Sequence, residues 1–170
     1  MGKITVRDAE VADAEILAQA EQETAQTPGF LVSQPYELTT GAFVAFIVDL
    51  TQNPRGKYIV ATEGEQLVGH ALLNPLRIQS LSHVVQLTIV VHPGFTDRGI
   101  GHTMLSYLID WAKKAEGIEK VELFTRANNA RAIALYKKLG FVEEGRLAKR
   151  VKLLDGAYLD DMLMGLWVAQ

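Results

Sequence analysis

Residues 89–101 read Ile89-Val90-Val91-His92-Pro93-Gly94-Phe95-Thr96-Asp97-Arg98-Gly99-Ile100-Gly101, and this stretch decides the fold. It closes an apolar run that starts at Val84 and extends to His92; such a run, ended by Pro93-Gly94, predicts a central strand buried on both faces. Beyond it, Ile100, Met104, Leu105, Leu108, Ile109 and Ala112 recur at helical spacing, which predicts an amphipathic helix from about Gly99 to Ala115. A strand therefore feeds a helix N-terminus through a glycine turn. Glycine lets a backbone approach a ligand closely. The free N–H groups of a first helical turn, at the positive end of its dipole, bind phosphate. On the glycines alone, an anion site and a plain strand-to-helix turn stand level. A Walker A loop is excluded, because no Gly-Lys-Ser/Thr run follows, and a dinucleotide fingerprint is excluded because Met104 stands where its third glycine belongs.

Upstream, Ile4 to Arg7 predicts a strand, and Asp8 is expected to open a helix with Ile16, Leu17 and Ala20 on its buried face. Thr27-Pro28-Gly29 and Gln34-Pro35 mark a loop, and Thr39–Thr40 opens a second helix with Phe43, Phe46, Ile47 and Leu50 on one face. These two short helices are expected to form a lid. Lys57–Thr62 and Gln66–Leu73 predict strands about the turn Glu63-Gly64-Glu65. Downstream, Lys120–Thr125 predicts a strand, and Asn128-Asn129 caps a helix carrying Ala132, Leu135, Tyr136 and Leu139, stopped by Gly140. Phe141–Leu153 and Ala157–Val168 then form a hairpin about Asp155-Gly156. The order β-α-α-β-β-β-α-β-α-β-β predicts an α/β (α+β) fold: a mixed central sheet of about seven strands, helices on both faces, and one domain over residues 1–170.

Composition narrows the chemistry. Seventeen Lys plus Arg against twenty Asp plus Glu, net −3, leave no electrostatic footprint for nucleic acid. The basic cluster Lys149, Arg150 and Lys152 is expected on a solvated strand. The absence of cysteine excludes a thiolate nucleophile and Cys-ligated metal. His70, His83, His92 and His102 lack metal spacing, so no metal is expected; they read as structural or surface residues, with His102 close to the phosphate turn. No apolar run approaches the ~20 residues of a membrane span, and the N-terminal segment lacks a signal-peptide core. Val6 stands where myristoylation needs Ser or Thr. Cytoplasm is the expected location.

Tyr136 lies seven residues from Asn129, two turns on along the same helical face. A phenol at a cleft wall can protonate a leaving thiolate; an aromatic residue on an apolar helical face is more often core.

Residues 84–141 resemble the acetyl-CoA-binding core of the GNAT acetyltransferases. The strand-end pattern falls on Ile89-Val90-Val91, the glycine signature on Thr96 to Gly101, and the Asn-x-x-Ala-x-x-x-Tyr and Leu-Gly-Phe elements on Asn129, Ala132, Tyr136 and Leu139-Gly140-Phe141. The resemblance implies an N-acetyltransferase with acetyl-CoA as cosubstrate and a primary amine as acceptor, attacked directly in a ternary complex. It implies pantetheine pairing at Ile89 and Val91 across a gap in the sheet. It also implies thioester polarisation by a backbone N–H near Val90–Val91, pyrophosphate on the N–H groups of Asp97, Arg98, Gly99, Ile100, Gly101 and His102, further coenzyme contacts at Thr103, Asn129 and Ala132, and Tyr136 as the acid. Thr96 replaces the usual Gln or Arg, a loss that Arg98 is expected to offset. Members that acetylate ribosomal-protein N-termini carry a glutamate where Phe124 stands; Glu122, on the same strand face, is the candidate base, acting through water, with a plain solvated charge as the alternative reading. Glu21, Glu23 and Tyr36 are expected to shape the amine site. The stretch Gly145-Arg146 through Tyr158 and Asp160 to Met164 resembles the bacterial branch acting on free amino acids and similar small amines. N-terminal or lysine protein acetylation, an acyl-CoA sensor without turnover, and a nucleotide-dependent transferase remain alternatives, as does a homodimer.

Overall fold

A computed structural model describes residues 2–170. The elements are β1 (Ile4–Asp8), α1 (Ala14–Ala25), α2 (Thr40–Gln52), β2 (Lys57–Glu63), β3 (Gln66–Pro75), β4 (Val84–Val91), α3 (Ile100–Lys114), β5 (Lys120–Arg126), α4 (Ala130–Lys138), β6 (Val142–Lys152) and β7 (Tyr158–Trp167). The strands form one mixed sheet in the order β1-β2-β3-β4-β5-β7-β6, in which only β4 and β5 run parallel. The fold class and strand number match the expectation. Among the described residues, no helix is long and apolar enough to cross a membrane.

Two cores explain why helices cover both faces. Met104, Leu105, Leu108 and Ala112 of α3 bury with Tyr136 of α4 against Val85, Leu87, Val121 and Leu123. On the opposite face, Leu17 and Ala18 of α1 and Phe43, Ile47 and Leu50 of α2 pack on Tyr58, Val60 and Leu72. Burial alternates along β5, so Val121 and Leu123 face α3, while Glu122 and Phe124 face the α1–α2 side.

Two expectations fail near the N-terminus. Asp8 does not open a helix: it is the last residue of β1, paired with Ile59. The Arg7 guanidinium then grips Asp13 through two bonds of 2.8 Å, and the Glu10 N–H donates to the same carboxylate at 2.8 Å, so a 3-10 turn at Val11–Asp13 precedes α1. Burial opposes the charged form of Asp13, yet Arg7 and the Glu10 N–H outweigh it and hold the carboxyl below its ordinary range. With the later start, Ile16 turns outward and is half exposed, while Ala14, Leu17 and Ala18 fill the face.

The feature that positions the site lies between β4 and β5. Their ladder has three rungs, Val84–Lys120, Val85–Val121 and Gln86–Glu122, and then stops. Beyond it β4 stays paired with β3 as far as Val91–Gly69, and β5 stays paired with β7 as far as Arg126–Asp161. The two halves of the sheet therefore splay apart. The edge of β4 past Gln86 carries backbone donors and acceptors without a strand partner, and such groups demand one.

Candidate active site

The open edge has a definite polarity. The His92 N–H donates to the Val68 carbonyl on the β3 side at 3.0 Å. Backbone groups alternate sides along a strand, so those of Val90 also face β3 and those of Ile89 and Val91 face the gap. The expected N–H near Val90–Val91 is thus that of Val91; Val90 contributes a side chain instead, nearly buried at the cleft wall.

A cleft of ≈ 530 Å³ occupies the gap, lined by Ile89, Val90 and Val91. At one end stands the turn into α3, with Thr96, Asp97 and Gly99 followed by Ile100, Gly101 and His102. Gly94, Asp97 and Gly99 have φ of 84°, 64° and 77°, left-handed conformations that fold the turn tightly. Gly99 is the N-cap of α3 and meets nothing within 4 Å, so its glycine serves conformation; Gly101 serves space, since an added Cβ would lie 3.3 Å from Leu135 Cδ2 and 3.7 Å from Val91 Cγ2. The far wall is α4. Asn129 caps it by accepting from the Ala132 N–H at 3.1 Å, so two helix N-termini flank the cleft.

Tyr136 lines the cleft from α4. Its ring stands edge-on to Phe141 at 5.8 Å, and burial pushes its phenol up to about 12. It is therefore protonated, a donor, at any ordinary pH.

The side chains of three expected site residues do not line this cleft. Arg98 turns away: its Nη2 donates to both oxygens of Glu63, at 2.6 and 2.7 Å, and its guanidinium lies 5.3 Å from the Phe95 ring centroid. Its head is engaged there, so it does not replace what Thr96 lacks. Thr103 bonds back into α3, its hydroxyl donating to the Gly99 carbonyl at 3.1 Å. Glu122 stands on the last paired rung, at the closed end of the gap, where it accepts from Gln86 Nε2 at 3.1 Å. Of the residues expected to shape the amine site, Tyr36 and Glu23 are exposed, whereas Glu21 sits one turn before Thr24, which lines the cleft. Of the region expected to form a lid, Thr24 at the end of α1 and Phe30 and Leu31 of the loop after it line the cleft, whereas α2 is packed on the sheet.

Two features escaped the sequence reading. Arg131, in the first turn of α4, reaches across the mouth to Asp97, both contacts at 3.1 Å. A basic residue just after a capping asparagine was the available signal. His70 and His92, expected to be structural or surface residues, are buried in mutual contact at 2.9 Å. His83 instead meets Trp167 edge-on at 6.4 Å. Among the described residues, no group of three His, Cys, Asp or Glu side chains is placed to hold a metal ion.

The family description "Acetyltransferase (GNAT) family" matches residues 17–141. The chain is 30% identical over 115 residues to the L-amino acid N-acetyltransferase AaaT of Escherichia coli K12, covering 68% of this chain and 70% of that protein. It is 36% identical over 106 residues to the N-alpha-acetyltransferase RimI of Mycobacterium tuberculosis, covering 62% and 63% respectively. Its fold matches a GNAT superfamily phosphinothricin acetyltransferase from Sinorhizobium meliloti, solved in complex with AcCoA, with a TM-score of 0.87 at 21% identity over 98% of this chain and 89% of that one. The matched span includes the open edge, the glycine turn and Tyr136, and the chain belongs to the acetyltransferase (GNAT) family.

Proposed function

We propose that this acetyl-CoA-dependent N-acetyltransferase acetylates the primary amine of a free amino acid or a similarly small amine, by direct attack in a ternary complex. Pantetheine adds as a strand along Ile89 and Val91. The N–H groups of the turn and of the first residues of α3 hold the pyrophosphate. The Val91 N–H polarises the thioester carbonyl as negative charge develops on its oxygen. The amine lone pair forms the C–N bond, the C–S bond breaks with its electrons on sulfur, and Tyr136 donates to that sulfur.

One observation carries the small acceptor: the loop after α1 closes onto the β6–β7 hairpin. The backbone at Gly29, φ 83°, packs so closely on Leu159 that a Cβ there would meet its Cδ1 at 2.6 Å. Loop residues 25–35 and hairpin residues 151–155 together bound a second cavity of ≈ 330 Å³. Leu31 lines both cavities. This bridge suits a compact acceptor better than an extended peptide, which needs an open groove. Phe124 supports the same reading, with the Arg150 guanidinium 6.0 Å from its ring centroid, an apolar surface beside a cation suited to a carboxylate. So does the similarity to an L-amino acid N-acetyltransferase.

The test is a thiol-release assay over free amino acids, polyamines and peptides that begin with the same residues. A free amino acid or small amine is expected to give the higher kcat/KM, and the rate is expected to rise with pH, because the ammonium form has no lone pair. A peptide tenfold better than its matching amino acid would overturn the proposal, and Phe124→Glu would then be the informative variant.

Arg131 supplies a second expectation. Its exposed bridge to Asp97 contributes little to stability. A guanidinium released toward a pyrophosphate makes charge-assisted bonds. Arg131→Ala is expected to weaken acetyl-CoA about tenfold, the low end for a bond to a charged group. Its melting temperature should stay unchanged. Calorimetry at two salt concentrations checks both the affinity and the smaller salt dependence that loss of a phosphate contact brings.

A further inference from the structure

His70 is fully buried and His92 nearly so, and the mechanism above uses neither. Both lie on the α1–α2 side of the sheet: His70 pairs with Val90 across β3 and β4, and His92 follows two residues on. His92 Nδ1 lies 3.2 Å from the Leu67 carbonyl oxygen, and His92 Nε2 lies 2.9 Å from His70 Nδ1. His70 Nε2 in turn lies 2.7 Å from Glu21 Oε1. The bonds assign the protons. A carbonyl only accepts, so His92 Nδ1 carries a hydrogen. Burial first, and the facing His70 ring second, push His92 down to about 4, so its ring is neutral near pH 7 and Nε2 offers a lone pair. His70 Nδ1 must then donate to it. The 2.7 Å contact between His70 Nε2 and Glu21 Oε1 must hold a hydrogen as well, so Oε1 accepts there and the position left for a proton that comes and goes is Glu21 Oε2.

The surroundings isolate this chain of bonds. Tyr58 of β2 stacks on His70 at 6.0 Å; its hydroxyl is buried without a partner, and burial, then Glu21 and Asp13, raise it far above the ordinary phenol range. Asp13 is neutralised by Arg7, and α2 presents the edge of Phe43 at 6.3 Å. Glu21 keeps 14% of its side chain exposed, with only Oε1 engaged among the described residues. It stands one turn before Thr24, which lines the cleft beside Val90. The chain of bonds thus runs from the acceptor side of the thioester strand into the core.

We propose that Glu21, backed by His70 and His92, takes the proton that the incoming amine must lose; this rests on the acetyl-transfer reading. The balance requires such a group. An ammonium brings three N–H hydrogens and the amide keeps one. One proton replaces the one that Tyr136 gives to the departing sulfur, and the other goes to Glu21 Oε2 and leaves from there to solvent. Glu21, one turn from the cleft-lining Thr24, takes the proton through water; His70 and His92 are positioning residues that fix the tautomer and hold the carboxylate.

Glu21→Gln keeps the shape and removes the base. Near pH 7 its kcat is expected to fall by roughly 10²-fold, the low end for a general base. KM for acetyl-CoA should not move. The deficit should shrink to within about threefold near pH 10, because there the amine arrives without its proton. A structural role predicts a deficit equal at all pH values, and that result with an active wild type overturns the relay alone. The second measurement needs no variant: long-range nitrogen–proton correlation on the wild-type imidazoles. A neutral His92 protonated on Nδ1 near pH 7 is expected; a His92 protonated on Nε2 overturns the relay. Wild-type protein inert toward every amine tested would overturn both this proposal and the acceptor reading.

Discussion

Tyr136→Phe is expected to lower kcat by about 10²–10⁴-fold, the range for removal of a positioned general acid. The ring stays. It is part of the α3–α4 core and meets Phe141 edge-on, so the helix and its packing should survive. The ring contacts that hold the helix are unchanged, so the melting temperature should hold. KM for acetyl-CoA should move little, because the remaining contacts on the turn and open edge are intact. The pH profile adds a sign. A phenol pushed up to about 12 stays protonated below that value, so Tyr136 causes no alkaline loss of kcat up to about pH 10. Thiol release across pH, paired with a thermal melt, measures all three. A wild-type rate in the variant would make Tyr136 a core residue and nothing more.

The residues that were legible in the sequence are those whose role follows from local pattern. Ile89-Val90-Val91 before Pro93-Gly94, then the stripe from Ile100 to Ala112, define strand, turn and helix within one window. Strand parity likewise put Glu122 and Phe124 on one face, as the burial of Val121 and Leu123 on the other requires. What failed depends on register and on distant partners. Parity says nothing about where a ladder ends, and Glu122 lies on its last rung. Arg98 looked free beside the glycines because its partner, Glu63, is 35 residues away on the end of β2. The Glu21–His70–His92 chain needs α1 on the sheet and a fixed β3–β4 register, and the residues between those strands, 76–83, carry no signal that sets it. The insertion of β7 between β5 and β6 was equally hidden, since a hairpin signal does not say which of its strands joins the sheet.

Gly101→Val is expected to abolish measurable acetyl-CoA binding while the circular dichroism spectrum remains that of a folded protein. The reason is space. The first atom of any side chain at 101 would already sit 3.3 Å from Leu135 Cδ2, tighter than ordinary contact, and 3.7 Å from Val91 Cγ2. Leu135 is a flexible tip and can yield, so the fold should lose no more than the ~1–3 kcal/mol usual for overpacking. Yet Leu135 and Val91 both line the cleft, and valine's two further methyls fill the room that a coenzyme needs against the N-terminus of α3. Gly99→Ala is the contrasting control. Nothing lies within 4 Å of its Cβ, but φ is 77°, so it should strain the turn by ~1–2 kcal/mol and weaken binding without blocking it. In the wild type, acetyl-CoA at ~100 times its Kd should stabilise the fold by roughly 2.7 kcal/mol. That thermal shift should vanish in Gly101→Val and persist, reduced, in Gly99→Ala. Equal shifts in wild type and Gly101→Val would place the coenzyme somewhere other than the turn into α3.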